Sequence, residues 1–293
     1  MRVLHLDGGR SMRGGQYQVL FLLKNLPVES RLLAPGGSPL LTGARAEGFP
    51  ADELNWRALR AESGGVDLVH CHDARAHTLA ALWSRAPFVV SRRVAFPVKR
   101  GWLSRWKYGR AAGYLAVSEC VKAELRAAGV RDERIVVVPD STALPEEVSP
   151  RDGEIVAIAS DDPGKGGELL RRSGLPVHFS SDLAADLRRA RAFVYVSESE
   201  GLGSAALLAM AHGVPVVASR VGGLPEIVVH EETGLLIENS VEAVRAAVGR
   251  LEADAGLAAR LAANGRALVE RRFTMKHMVE GTLAAYRMAL GVK

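Results

Sequence analysis

AFVYVSESEGLGSAALLAMAHGVPVVAS, residues 192–219, decides the fold. AFVYVS (192–197) and PVVAS (215–219) are short runs in which apolar residues follow one another rather than alternate. Between them a glycine-bearing loop leads into an apolar helix over 203–212. A strand that is apolar on both faces must be covered on both, and a helix joining two such strands is the crossover of a parallel sheet. Upstream, IVAIA (155–159), PVHFS (176–180) and a helix over 182–190 follow the same grammar. Downstream, EIVVH and GLLIE read as short β-like pieces, and helices over 240–252, 254–271 and 275–290 close the chain.

The first half repeats the pattern. RVLHLD (2–7) precedes a glycine-bearing loop and the helix QYQVLFLLKNL (16–26). RLLA, a polar irregular stretch through 36–51 and a short helix near 52–61 come next. VDLVHC (66–71), helix 74–84, PFVVS (87–91), a basic Trp-rich helix over 102–110, YLAVS (114–118), helix 119–128 and RIVVVP (134–139) complete it. STALPEEVSPRDGE (141–154) lacks periodicity and carries two prolines, so it reads as a linker. The expected organisation is an α/β domain over 1–140, a second over 155–274, and a last helix, 275–293, packing back on the first. Two such domains are expected to leave a cleft at the C-terminal edges of their strands, where α/β sheets hold ligands.

Length agrees with two domains, since 293 residues is twice a domain of about 150. With 48% apolar and 24% charged residues, the composition is that of an ordinary soluble protein. Cys71 and Cys120 make no disulfide framework and no metal-ligand spacing, which suits a reducing compartment. No apolar run reaches the roughly 18 residues of a spanning helix. MRVLHLDGG meets charge too early for a signal peptide and reads as a strand, so a cytoplasmic location is expected. The net charge is +5, yet nine basic residues and no acidic one lie between Ala74 and Ser118: Arg75, Arg85, Arg92, Arg93, Lys99, Arg100, Arg105, Lys107 and Arg110. Such a run suits an anionic ligand or surface. No nucleic-acid recognition motif accompanies it, so nucleic acid is not an expected partner. GxGxxG is absent after Asp7 and GxxxxGK[ST] does not occur.

Several residues carry two readings. Gly14 and Gly15 precede a helix whose first amides could cradle a phosphate, or they form a plain tight turn. His72 sits just past a strand end beside Asp73; it could donate to a sugar hydroxyl, or Asp73 caps the next helix while His72 bonds backbone. His70, within the strand, reads as structural. Arg92 and Arg93 point to opposite faces, so one of them can reach the cleft with a fork suited to phosphate. Trp102 and Trp106 share a helical face that fits a membrane surface or a core.

RGGQYQVLFLLKNL (13–26), HCHDARAHTLAAL (70–82) with VVSRRVAFP (89–97), YLAVSECVKAELRAAGVRDERIVVVP (114–139) and, most specifically, ESEGLGSAALLAMAHGVPVVASRVGGLPEIVVHEETGLLIE (198–238) resemble the retaining nucleotide-sugar glycosyltransferases of family 4, including the lipopolysaccharide type. The resemblance spans nearly the whole chain. It implies a GT-B fold, two Rossmann-like domains whose parallel sheets face across a cleft. It implies that His72 contacts the donor sugar, that Lys165 binds the diphosphate and offsets leaving-group charge, and that Glu200 holds sugar hydroxyls. Amides around Leu202, Gly203 and Ser204 are the diphosphate candidates; Gly14, Gly15, Arg92, Gly222, Gly223 and Glu226 are placed near the nucleotide. Glu200 near a helix start also stabilises that helix.

Three departures stand out. The family's arginine five residues before the lysine is Ser160 here. Its second glutamate is Leu208, a loss of about 1.5–3 kcal/mol if a charged hydrogen bond to ribose goes with it. About 26 residues separate Lys165 from Ala192, so the donor domain is expected to be shortened. The implied reaction moves a sugar from a nucleotide diphosphate-sugar, with retention, to a hydroxyl of an anionic cell-envelope glycan or glycolipid. The basic first domain is expected to meet the acceptor, with the inner face of the membrane as the place for a peripheral contact. No Asp-x-Asp appears, so the action is expected to need no metal and no other cofactor. The competing reading is a weak or inactive homologue that binds a glycan or a protein.

Overall fold

The computed structural model describes residues 1–99, 101–148 and 151–292. Arg100 of the basic run and Ser149 and Pro150 of the expected linker lie outside the described residues, as does Lys293 of the terminal helix segment. The chain divides into two compact units, Met1–Pro139 with Met275–Lys293, and Asp140–Thr274.

Unit 1 runs β1 (Arg2–Leu6), α1 (Gly14–Asn25), β2 (Glu29–Ala34), α2 (Pro39–Ala46), β3 (Ala51–Glu53), α3 (Trp56–Glu62), β4 (Leu68–Cys71), α4 (Ala74–Trp83), β5 (Phe88–Arg92), α5 (Trp102–Arg110), β6 (Gly113–Ala116), α6 (Glu119–Ala127) and β7 (Ile135–Val137). Unit 2 follows with β8 (Ile155–Ile158), α7 (Gly167–Ser173), β9 (Val177–Ser180), α8 (Leu183–Asp186), β10 (Ala192–Tyr195), α9 (Ser204–Ala211), β11 (Val216–Ser219), β12 (Leu235–Ile237), α10 (Val241–Ala253) and α11 (Ala255–Arg272). The last helix, α12 (Met275–Leu290), belongs to unit 1.

Both sheets are parallel, as near-continuous apolar strands demand. Unit 1 has the order β3-β2-β1-β4-β5-β6-β7, so the order reverses at β1 and β4. There His5 pairs in register with His70, and Leu6 with Cys71. Unit 2 has the order β12-β11-β10-β8-β9 and reverses at β8 and β10, where Phe193 pairs with Val156. Such reversal points open a crevice beyond the strands' carboxyl ends.

In unit 1, α12 buries Met278, Ala285 and Tyr286 with Val3, Leu68, Val89 and Leu115. The core of unit 2 gathers Ile155, Val194, Val217 and Leu235 beneath Val244, Val248 and Leu261. Besides the short strand β3, where a helix near 52–61 was expected to begin, two helices were not expected. The stretch read as irregular holds α2, started by Ser38, whose hydroxyl accepts from Leu41 N–H (3.3 Å), with Pro39 at its first position. Pro tolerates that site because its missing N–H would have no helical partner there. α7 fills part of the shortened segment after Lys165. EIVVH is not a strand: Leu224–Glu226 form a 3-10 turn, and Val228 N–H returns to Leu224 C=O (2.9 Å). The helix expected over 182–190 is only α8. The stretch 141–154 joins unit 2, where Thr142 N–H meets Phe273 C=O (3.1 Å) and Arg266 donates to Pro145 C=O (2.8 Å).

Candidate functional site

In unit 2 the loops after β8 and β10 carry the chemistry. Asp162 accepts from Gly164 N–H (3.0 Å) and starts a 3-10 turn over Pro163–Lys165. Gly166 closes that turn at φ +66°, and a Cβ there would lie 2.3 Å from Val196 Cγ1, so only glycine fits. The turn presents Lys165 to Glu200, and the two form an ion pair. The Tyr195 hydroxyl, at the end of β10, donates to the same Glu200 Oε1 (2.6 Å). The Lys165 ammonium also stands 5.7 Å from the centre of the Tyr195 ring. Burial pushes the Tyr195 hydroxyl well above its ordinary pKa, and the Glu200 charge pushes the same way; it therefore stays a donor. A cation, a carboxylate and a fixed phenol thus share one crevice.

The glycines hold this arrangement. A Cβ on Gly222, at φ +53°, would sit 2.0 Å from the Glu200 carbonyl oxygen, and one on Gly223 would sit 2.1 Å from that of Gly201. Gly223 N–H donates to Glu200 C=O (3.0 Å). The 222–223 turn therefore packs directly on the loop that carries Glu200. Leu202 is buried, Gly203 is the N-cap of α9, and the Ser204 hydroxyl donates to Asp140 (2.9 Å). Glu226 ends the 3-10 turn beyond Gly223. Ser160, in place of the family's arginine, accepts from Asp162 N–H (3.2 Å) and serves the loop. Leu208 lies partly buried on α9.

In unit 1 the corresponding edge follows β1 and β4. Asp73 caps α4, accepting from Arg75 N–H (2.6 Å) and Ala76 N–H (3.0 Å), and also takes Gly8 N–H. Asp7 accepts from Gly9 N–H (2.7 Å) and from the Gln16 amide (3.1 Å). Burial raises its pKa, only partly offset by those bonds and Arg93. Gly14 and Gly15 are the first two residues of α1, and neither has a positive φ, so they open a helix rather than form a left-handed turn. His72 is buried, its backbone N–H on Leu6 C=O (2.9 Å) and its Nε2 bonded to His5 Nδ1 (2.9 Å). Burial holds its pKa well below the ordinary value, so the ring is neutral. His70 is structural as expected, bonded to the Tyr286 hydroxyl (2.7 Å) and Ser91 (2.8 Å).

Arg92 does not take the expected place. Its guanidinium donates to the Tyr108 hydroxyl (3.0 Å) and to Phe96 C=O, tying down its own loop. Arg93 is the arginine at this edge: its charge acts on Asp7, His70 and His72, and its Cδ lies 3.9 Å from a Cβ built on Gly15. Alternation along a strand told that the two arginines diverge, not which one turns to the site. Tyr195 was missed because it reads as an ordinary strand residue, and His5 for the same reason.

Two family models each match part of one of these units. Glycosyltransferase Family 4 matches residues 13–141, and Glycosyl transferases group 1 matches 176–268. The chain belongs to glycosyltransferase family 4. Alpha-maltose-1-phosphate synthase of Mycolicibacterium smegmatis is 36% identical over 156 residues, covering 51% of this chain and 38% of that protein. D-inositol 3-phosphate glycosyltransferase of Acidothermus cellulolyticus is 44% identical over 104 residues, covering 35% of this chain and 23% of that protein. These matches span less than half the length of either relative. Anabaena HepE, solved in complex with UDP and glucose, superposes with a TM-score of 0.86 at 16% identity, covering 97% of this chain and 98% of that one. This family 4 member therefore has the GT-B fold of two parallel-sheet α/β units.

Proposed function

We propose that this family 4 member transfers a sugar, with retained anomeric configuration, from a nucleotide diphosphate-sugar to a hydroxyl of an anionic cell-envelope glycan or glycolipid. The observation that carries the reading is Lys165 paired with Glu200, itself held by Tyr195, at the carboxyl ends of β8 and β10. An incoming diphosphate draws the ammonium from the carboxylate and is met by it. Amides of Leu202, Gly203 and Ser204 at the start of α9 add a partial positive charge. Gly222 and Gly223 let backbone approach the nucleotide, with Glu226 beside them, and Gly14 and Gly15 open a second helix start in unit 1. Glu200, released from Lys165, accepts from sugar hydroxyls, and His72 donates to the sugar.

In the reaction the bond from the anomeric carbon to phosphate oxygen breaks, and a bond to the acceptor oxygen forms on the same face. The departing phosphate takes the acceptor's proton, so no protein nucleophile is called on. The protein supplies position and charge. Lys165 takes the part that a metal ion plays elsewhere, so the action needs none.

The anionic acceptor is supported by the nine-residue basic run. The names of the two curated relatives also carry phosphorylated sugar or inositol. Of the two readings of the α5 face, the core one fails: none of its nine residues is buried, and Trp102 is 73% exposed. Phe96, Leu103 and Trp106 are exposed with it. Lys99, Ser104, Arg105 and Tyr108 line a cavity of about 400 Å³ alongside. Exposed tryptophans among cations suit the surface of an anionic bilayer. No helix among the described residues is long and apolar enough to cross a membrane. A cytoplasmic protein resting on the inner membrane face through α5 fits these features.

The deciding experiment is a thermal-shift panel of UDP, GDP, ADP, TDP and CMP with and without magnesium, followed by turnover with the matching diphosphate-sugars. A rise with one diphosphate that survives EDTA, and turnover lost in Lys165→Ala, are expected. Ser160 and Leu208 favour a second reading, a homologue that binds without turnover. No shift with any nucleotide would count against the enzyme reading and in favour of this one.

A further inference from the structure

Unit 1 buries three imidazoles side by side at its sheet reversal. His5 lies in β1, His70 faces it in register on β4, and His72 follows β4 by one residue. Ring nitrogens of the three lie within 4.8 Å of one another, and the His70 and His72 ring centres are 4.0 Å apart. His70 spends both nitrogens, on Tyr286 and on Ser91. His5 and His72 share a single bond, Nδ1 to Nε2, with their rings nearly parallel. Their outer nitrogens, His5 Nε2 and His72 Nδ1, are buried without a hydrogen-bond partner.

A neutral imidazole has one N–H and one lone pair. Both rings are neutral, since burial lowers His5 to about 3 and His72 well below the ordinary value. Two neutral rings joined by one hydrogen bond have one N–H in the bond and one to spare. Either His5 donates and the spare N–H sits on His72 Nδ1, or His72 donates and it sits on His5 Nε2. A buried N–H with no acceptor is costly, so its location matters. His5 is sealed inside the sheet at 0% exposure. His72 stands at the strand's carboxyl end, where a ligand can bring an acceptor. The first arrangement puts the spare donor on the residue at that edge, the second on the one sealed inside the sheet.

We propose that His5 is a positioning residue: its Nδ1–H donates to His72 Nε2 and holds His72 as the Nδ1–H tautomer, a fixed donor to an oxygen of the bound sugar donor. The proposal rests on the reading of His72 as a ligand contact. It makes a buried strand residue, touching no ligand itself, decide the polarity of one that does. The same logic selects tautomers of histidines elsewhere, where the hydrogen bond at one nitrogen sets the proton at the other.

Long-range proton–nitrogen NMR of the 15N-histidine-labelled full chain near neutral pH reads the tautomer directly. The His72 signals are those that vanish in His72→Gln. The expected result is an Nδ1–H pattern for His72 in the wild type and in His5→Asn, whose amide can donate in place of the imidazole. His5→Leu is expected to lose it towards the Nε2–H form. In turnover of the diphosphate-sugar that the thermal-shift panel selects, kcat in His5→Leu is expected to fall by about ten- to a hundredfold with little change in KM, and His5→Asn to restore most of it. An Nε2–H His72 in the wild type overturns the proposal whether or not His5→Leu folds, and so does an unchanged His72 pattern in His5→Leu. Stoichiometric zinc whose removal by a chelator shifts the three ring signals overturns it as well. If His72→Gln keeps full turnover while the Nδ1–H pattern stands, the ligand-contact reading fails and the tautomer assignment survives, so the two failures are told apart.

Discussion

Glu200 has two partners on one oxygen, and their difference sets how a ligand is admitted. The Lys165 partner can leave; the Tyr195 partner, buried at the end of β10, cannot. When a diphosphate takes Lys165, the phenol remains to satisfy a carboxylate that is only 11% exposed. Without the phenol, Glu200 would hold Lys165 more tightly, and the ligand would have to overcome that. Tyr195→Phe is therefore expected to weaken binding of the nucleotide diphosphate by about 1.5–3 kcal/mol, the scale of a hydrogen bond to a charged group. Calorimetric titration of wild type and variant checks it; equal affinities would show that the phenol plays no part. This residue was not legible in advance. A tyrosine within AFVYVS has the look of core, and nothing in the spacing says that its hydroxyl reaches a glutamate five residues on. Lys165 and Glu200 were legible through the resemblance to family 4 that their glycine-marked loops carry.

At the level of elements, loops proved more constrained than helices. The 222–223 turn touches the backbone of residues 200–202, so a methyl group at Gly222 must push the Glu200 loop aside as well as strain its own backbone. Gly222→Ala is expected to cost about 1–3 kcal/mol of stability, on the scale of overpacking. It should also lower nucleotide affinity, seen in denaturant melts with and without ligand. An Ala at Gly249, which has open space on helix α10, is the control and should change little. On α5 the prediction concerns surface rather than fold. Trp102→Ala with Leu103→Ala should leave the melting temperature unchanged and reduce sedimentation with vesicles containing phosphatidylglycerol; undiminished binding would remove the membrane reading. The boundaries of α5 agree with the expected 102–110, where Pro97 and Gly101 before it and the apolar strand YLAVS after it leave room for one short helix. α2 was not, because eight residues with three small ones and a threonine show little periodicity, although Ser38-Pro39 marked its start. EIVVH misled because β-branched residues suit a strand only where a neighbouring strand is available to pair with them.

Across the whole molecule the buried histidines are unevenly shared, and that imbalance predicts how the two units respond to acid. Unit 1 holds His5 and His77, both lowered by burial to about 3, and His70 and His72, lowered well below the ordinary value. In unit 2, burial shifts His212 downward. A histidine kept neutral in the fold is protonated in the unfolded chain once pH falls below about 6.5. Between that value and its folded pKa the unfolded state binds the extra proton, so stability falls as pH falls. The slope is about 1.4 kcal/mol per pH unit for each such group. Asp7 and Glu62, raised by burial, act in the opposite sense, taking up protons in the folded unit as pH falls, and so offset part of this loss. All four tryptophans, Trp56, Trp83, Trp102 and Trp106, belong to unit 1, so tryptophan fluorescence follows that unit alone. The fluorescence midpoint in urea is expected to drop steeply from pH 7 to 5, while far-ultraviolet dichroism resolves a second transition, from unit 2, that moves less. His5→Asn should flatten the first dependence by about one group's share and leave the second unchanged. A fluorescence midpoint constant over that interval would mean that these imidazoles take up protons in the folded unit, and would undo the hydrogen-bond assignments built on their neutrality.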